Sequence, residues 1–377
     1  MPAKATAFRP AAHPWLHALV ALVLGWPMPG ATAEFGASWT GDFATVASGG
    51  LQQEGRHMGL VELSFDHDFA WRERELSLHL SGQHRYGGGF SENEVGDLQT
   101  VSNIDAEHGT RLLEAWLAIP LTSHTSVLFG RYDLNSEFDA IGAGALFLGS
   151  SHGIGPDISQ TGAVGPSIFP NTAFGIRVQH ASERGGALRI AAIDVDASDE
   201  YDYGDSPFAG GPMLALEYQW PLQAATVKTG VWLYTRTCDS MYAEERGAQY
   251  GGYASVERRF GENLVAYGRV GVANAEVSRI GLYTGGGIVH TAGLLPGRDD
   301  SIGFAIAYAR NGRGYDDAMH DAGVPVTSGE QVYELTWRVP VGEHVVLQPD
   351  VQFVVDPDSN PAIDDALVVI LRVELAL

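Results

Sequence analysis

The sequence predicts an all-β protein that crosses a membrane as an antiparallel, up-and-down β-barrel of about sixteen strands. Three observations predict it. Apolar and polar residues alternate with a period of two in short segments, as strands between an apolar medium and water require. The connections between segments are long and short in turn, which suits long loops on one side of a membrane and tight turns on the other. The chain also opens on an export signal. Lys4 and Arg9 precede an apolar core at residues 15–26 (WLHALVALVLGW), and Pro27, Pro29 and Gly30 then lead to the small-residue site ATA at residues 31–33. This is the order of a secretory signal peptide, and its core is shorter than the roughly twenty residues of a membrane-spanning helix. Residues 1–33 are therefore expected to be cleaved, leaving residues 34–377 as a single barrel domain that starts at Glu34.

The elements follow in order. Strands are expected near residues 39–47, 57–67, 75–85, 109–119, 126–134, 172–180, 186–196, 212–220, 225–237, 250–260, 262–274, 280–292, 300–310, 330–340, 344–354 and 366–377. Odd-numbered connections then run roughly 9, 23, 37, 15, 12, 5, 19 and 11 residues, and even-numbered ones roughly 7, 6, 5, 4, 1, 7 and 3. The five-residue connection at residues 275–279 breaks the pattern. An even strand count closes the sheet with no free edge, which hydrocarbon demands. Residues 111–119 (RLLEAWLAI) fit an amphipathic helix as well, and are assigned to a strand. The connection at residues 135–171 holds Phe138, Ile141, Leu146, Phe147, Leu148, Ile158 and Phe169. That is too much apolar surface for a disordered loop. With its prolines and glycines it is expected to fold into the barrel as turns, without helix or strand.

Composition excludes several function classes. The formal charge is −23, falling to −25 once Lys4 and Arg9 leave with the signal. A nucleic-acid partner is excluded by the want of a basic patch. Of 23 basic residues two are lysines, so twenty arginines and Lys228 remain after cleavage. Guanidinium planes fork onto hydroxyls and stack on flat faces, although a GC-rich genome would also raise the arginine count. Cys238 is the one cysteine, which rules out disulfides and cysteine-based metal sites.

Alternation also assigns side chains to the barrel lumen. If Ala115, Leu117 and Ile119 face lipid, Glu114 and Trp116 face inward, where the indole offers a plate for the C–H face of a sugar. A register shift of one residue would instead place Trp116 in the lipid-interface belt. Arg177 opposes Phe174, Ile176 and Val178 across its strand. Glu217, Arg269, Glu334, Arg338 and Arg372 are luminal by the same argument, because a charge facing lipid near the midplane costs about 2–4 kcal/mol.

Particular stretches carry a resemblance. RYDLNSEFD at residues 131–139, LFLGSSHGIGPDISQTGAVGPSIFP at 146–170 and LQPDVQFVVDP at 347–357 resemble the carbohydrate-selective porins of Gram-negative outer membranes, the OprB family. LLPGRDDSIGFAIAYA at 294–309 and YELTWRVPV at 333–341 are similar in a more generic way. The likeness runs from about Gly36 to the C-terminus. The chain departs from barrel proteins of this class in ending on Leu377 rather than an aromatic residue. The resemblance implies an outer-membrane channel for monosaccharides and ions, set among lipid and lipopolysaccharide, with no cofactor. It implies loops folded inward to narrow the channel, which places Glu137, Phe138, Asp139 and Asp157 in a constriction loop.

Two other readings start from motifs. Residues 149–153 (GSSHG) match G-x-S-x-G, so Ser151 would be the nucleophile of an outer-membrane hydrolase if a strand preceded it and a helix followed. Pro156 is expected to forbid that helix. A secreted β-sandwich lectin or adhesin shares the alternating pattern. Asp194, Asp196, Ser198, Glu200, Asp202 and Asp205 are spaced like a calcium loop, but Asp199 stands where the sharp-turn glycine belongs. The acidic stretch therefore reads as a solvated loop, with no metal.

Overall fold

Sixteen antiparallel strands close on themselves in chain order, with β1 paired to β16. They are β1 (Thr32–Gly50), β2 (Gly55–Trp71), β3 (Arg74–Tyr86), β4 (Gly109–Pro120), β5 (Thr125–Tyr132), β6 (Ala173–Ala181), β7 (Ala187–Ile193) and β8 (Met213–Pro221). The circle continues with β9 (Ala225–Asp239), β10 (Arg246–Phe260), β11 (Leu264–Ala273), β12 (Ile280–His290), β13 (Ser301–Asn311), β14 (Gly329–Pro340), β15 (Val345–Val355) and β16 (Asp364–Ala376). This computed structural model describes residues 32–195, 207–241, 246–295 and 299–377. All sixteen expected strands are present, and residues 111–119 lie in β4 rather than a helix. A single closed sheet replaces the two stacked sheets of a sandwich.

The pleat sorts the side chains. On β16, Val369, Leu371 and Leu375 stand 39–43% exposed on the outside, while Ala366, Val368, Ile370 and Arg372 are buried inside. On β8, Leu214 and Leu216 are outside and Glu217 is inside, fully covered. The outer surface thus bears a belt of exposed Leu, Val, Ile and Phe that only an apolar medium would tolerate.

The connections at residues 87–108, 133–172, 194–212 and 312–328 all leave one rim, while 72–73, 121–124, 182–186, 222–224 and 261–263 turn tightly at the rim that carries both ends of the barrel. Three boundaries differ from expectation. β1 and β2 extend almost to each other, so their connection is only residues 51–54. On the tight-turn rim, β12 ends at His290 and β13 begins at Ser301, a wider separation than the other turns there. β1 also begins at Thr32, inside the segment assigned to the signal, whose residues 1–31 lie outside the described residues. The acidic stretch falls largely outside them too; Asp194 is described, and its Oδ1 accepts the Phe208 amide at 2.7 Å.

The interior is filled by two of the long connections. Residues 87–108 pack Phe90, Val95, Val101 and Ile104 against Met58, Leu60, Val368 and Ile370 of the inner wall. Residues 133–172 reach across to the far wall, where Phe147 packs with Tyr267, Val289 and Ala305. Small wall residues make this possible. A Cβ on Gly303 would stand 2.7 Å from both Leu146 and Phe147. Contrary to expectation, this loop does contain helical turns, at Leu134–Ser136, Ala143–Leu146 and Ser150–His152, and one turn of α-helix at Pro156–Ser159. Pro156 starts that helix rather than forbidding it. At the first helical position its missing N–H has no partner to lose, and its fixed φ suits the helix.

Candidate functional site

The loop at residues 133–172 divides the lumen, so the site is defined by what fastens it to the wall and by what it leaves open. The fastenings come first. Arg269 on β11 donates from Nε to Asp139 at 2.7 Å, and from Nη1 and Nη2 to Asp157 at 2.6 and 3.1 Å. Its guanidinium lies between the rings of Tyr253 and Tyr283, 5.3 and 5.1 Å from their centroids. Burial pushes the Asp139 carboxyl up to about 6 against the pull of Arg269. Glu217 accepts the Asp139 amide at 2.8 Å and the Tyr253 hydroxyl at 2.8 Å, and Arg189 reaches its other oxygen at 3.0 Å. Glu334 accepts the amides of Leu148 and Gly149 at 2.6 and 3.1 Å. Each such bond is worth about 0.5–1.5 kcal/mol, and more where the acceptor is ionised, so these side chains pin the loop backbone along the wall. Phe138 is buried in the apolar cluster formed with Leu134, Ile154, Ile158, Trp232 and Tyr253.

The loop leaves the inner face of β2–β4 half-exposed. Here Trp116 stacks on His79, with centroids 5.1 Å apart and planes 22° from parallel. The indole Nε1 donates to Glu114 at 3.1 Å, and His79 Nδ1 pairs with Asp66 at 2.7 Å. Trp116, His79 and Glu114 are half-buried, as a wall beside a passage would be. Glu62, Ser64 and Ser81 continue the same inner face through the register of β2 and β3. From the loop, Glu137 presents its carboxylate to Arg177 in a two-point pair, Nε at 2.6 Å and Nη2 at 2.7 Å, and takes the Tyr132 hydroxyl at 2.6 Å. Arg177 Nη1 also donates to Ser126 at 3.0 Å. Beside Glu114, burial raises the Asp133 carboxyl to about 7, with repulsion from Glu114 adding to it.

The residues singled out in the sequence therefore fall into four groups. Glu114, Trp116 and Glu137 meet at the half-exposed side, where Arg177, only 6% exposed, holds Glu137 from the wall. Phe138, Asp139 and Asp157 of the loop and Glu217, Arg269 and Glu334 of the wall lie where the loop is fastened, each at most 6% exposed. Arg338 stands apart at the terminal rim, its side chain 40% exposed and paired with Glu374 at 2.9 Å. Arg372 belongs with the second inward loop. It donates to Asp42 at 2.8 Å, and Asp42 in turn accepts the Ser102 hydroxyl at 2.6 Å.

Sequence reasoning missed His79 and Glu62, and missed that residues 87–108 also fold inward. Glu330, two residues before Val332 on β14, holds the amides of Leu98 and Gln99 at 2.6 and 2.9 Å, as Glu334 holds those of the longer loop. Inward acids two pleats from each other on one strand were the available signal.

The nucleophile reading fails on geometry. Ser151 sits in a 3₁₀ turn within the loop, and no strand leads into it. His152 beside it is buried, its ring held neutral with the pKa down at about 4, and its Nδ1 faces the Tyr267 hydroxyl at 3.0 Å. Among the described residues no group of three or more His, Cys, Asp or Glu side chains is placed to hold a metal.

A closed sixteen-stranded barrel with an apolar belt outside, polar walls inside and a loop strapped across its lumen defines a channel of the porin class. Residues 57–377 match the model of the carbohydrate-selective porin, OprB family, and the chain belongs to that family. Among solved structures, OprB of Pseudomonas putida superposes with a TM-score of 0.79 at 16% identity, over 96% of this chain and 97% of that one. The outer membrane channel DcaP of Acinetobacter baumannii gives 0.63 at 10% identity, over 92% and 98%. A mutant porin of Rh. blastica gives 0.58 at 12% identity, over 92% and 100%. A search of curated proteins finds no match. The protein is a passive outer-membrane channel for carbohydrates.

Proposed function

We propose that the channel passes single sugars of monosaccharide size through the gap between the loop at residues 133–172 and the inner face of β2–β4. The observation that carries this is the Trp116–His79 stack, which faces the gap with Glu114 at its edge and the Arg177–Glu137 pair beside it, two strands along the same wall. A flat aromatic face takes the C–H side of a pyranose. Carboxylate and guanidinium groups at its rim take the hydroxyls, as acceptor and donor respectively. Ions follow the same water. Asp139, Asp157, Phe138, Glu217, Arg269 and Glu334 contribute by fixing the gap's width rather than by touching the solute, and Arg338 works at the exit.

In this reading residues 1–33 are removed as a signal peptide during export, residues 34–377 form one barrel, and lipid and lipopolysaccharide cover the outer belt. The protein works as a channel without catalysis, cofactor or metal. Liposome swelling tests the solute class. Refolded barrel should admit monosaccharides faster than zwitterions of equal size. Equal rates would leave a general channel without carbohydrate selectivity.

A further inference from the structure

Loop residues Ala140, Ile141 and Gly142 roof a cavity of about 190 Å³ on the terminal side of the constriction. Its floor is two adjacent rungs of three neighbouring strands. Gln219, Lys228 and Ser255 lie side by side on one rung, and Thr226 and Glu257 on the next. Two of these five side chains hold the roof: Lys228 Nζ donates to the Ala140 carbonyl at 2.7 Å, and Glu257 accepts the Ala143 amide at 2.7 Å. The Gln219 amide and the Thr226 and Ser255 hydroxyls make no hydrogen bond to protein among the described residues, though they are half-buried or buried. These groups open onto the cavity, so whatever fills it, water or a guest, supplies their partners.

The chemistry of a guest is constrained. One cation and one carboxylate line the cavity, so it favours a neutral guest. Donors and acceptors are mixed on the floor, while Ala140 and Ile141 give the roof an apolar edge. At about 30 Å³ per water the cavity holds about six waters, as many as a hexose has oxygens. We infer that this cavity is a second carbohydrate site, which takes one neutral monosaccharide after it has passed the constriction. The inference rests on the sugar-channel reading above. Two weak sites in series suit a channel, because each must bind well enough to accept the solute and loosely enough to release it.

The test is sugar-induced current noise in planar bilayers, with glucose as the probe. Wild-type protein should show two relaxation components, one for each site. The double variant Thr226→Val/Ser255→Ala, which leaves both roof bonds in place, should lose one component or weaken its half-saturation at least threefold. Trp116→Ala should affect the other. Heat-modifiable migration in gels checks folding, and Gln219→Leu serves as the alternative should the double variant not fold. A single component in wild type overturns the second site, as do two unchanged components in the variants. Absence of any block, together with no swelling in sugar, would sink the sugar-channel reading itself; intact swelling with one component sinks only the second site.

Discussion

Arg269 grips Asp157 at two points, Nη1 at 2.6 Å and Nη2 at 3.1 Å, joining the middle of the longest loop to the barrel wall. The fit is close on both sides. A Cβ on Gly155 would come within 2.0 Å of the guanidinium, and one on Gly271 within 2.1 Å of the Asp157 carboxylate. Asp139 shares the same guanidinium, so one arginine sets the loop at two places.

Replacing this arginine by methionine should release the loop. Breaking a buried pair by removing one partner costs about 3–5 kcal/mol, and here two carboxylates would be stranded. Single-channel conductance should rise and the loop should become sensitive to added protease, while the barrel still migrates as a folded form. Adding Asp139→Asn and Asp157→Asn to Arg269→Met should recover part of the lost docking. Unchanged conductance in the single variant would show that the apolar contacts of Phe138 and Phe147 hold the loop unaided.

Deleting residues 142–165 tests the constriction as a whole. The deletion removes Phe147, Leu148, Ile154 and Ile158, all within 8% of full burial. The strands keep every ladder, since none pairs with this segment. The expected product is a folded barrel with higher conductance and poorer discrimination among solutes. Rapid cleavage of the wild-type loop on intact cells would contradict its placement inside the lumen.

Trp116→Ala should weaken sugar block of ion current by about 1 kcal/mol or more, taking aromatic pairs as the guide. Trp116→Phe keeps a ring to stack on His79 and should lose less. Arg177→Ala should also weaken block, with a second effect, because Glu137 loses its two-point partner. Unchanged block by every sugar in both alanine variants would remove these residues from the solute path.

The pH dependence has a definite sign. Burial raises Asp133 to about 7 and Asp139 to about 6, both from an ordinary value of 3.8. From 3.8 up to those raised values the folded chain binds more protons than the unfolded one, so stability falls as pH rises. The docked loop is thus held best near pH 4 and least well above pH 7. Conductance should increase from pH 5 to pH 8. In Asp133→Asn, which mimics the protonated form, that increase should shrink, and a slope equal to wild type would assign the effect to other groups.

The sequence by itself determined the barrel. A strand's period of two, the apolar set of Leu214 and Leu216 against Glu217, and the costly burial of charge in lipid together fix which face looks outward. That logic needs no knowledge of distant contacts, so β1–β16 could be read in order and Arg177, Glu217 and Arg269 assigned to the lumen, with Trp116 left between the lumen and the lipid belt. It also gave the apolar content of residues 135–171, which forced that loop inside. Only the tertiary structure decided what lies beneath the loop. Asp139 and Asp157 meet Arg269 from positions more than a hundred residues away, and no local pattern encodes that meeting. The same holds for the stack of His79 on Trp116, which depends on the register between β3 and β4, and for the turn of helix at Pro156, which a proline at a first helical position permits. Strand faces are set by nearest neighbours along the chain, whereas a constriction is set by which far walls a loop can reach.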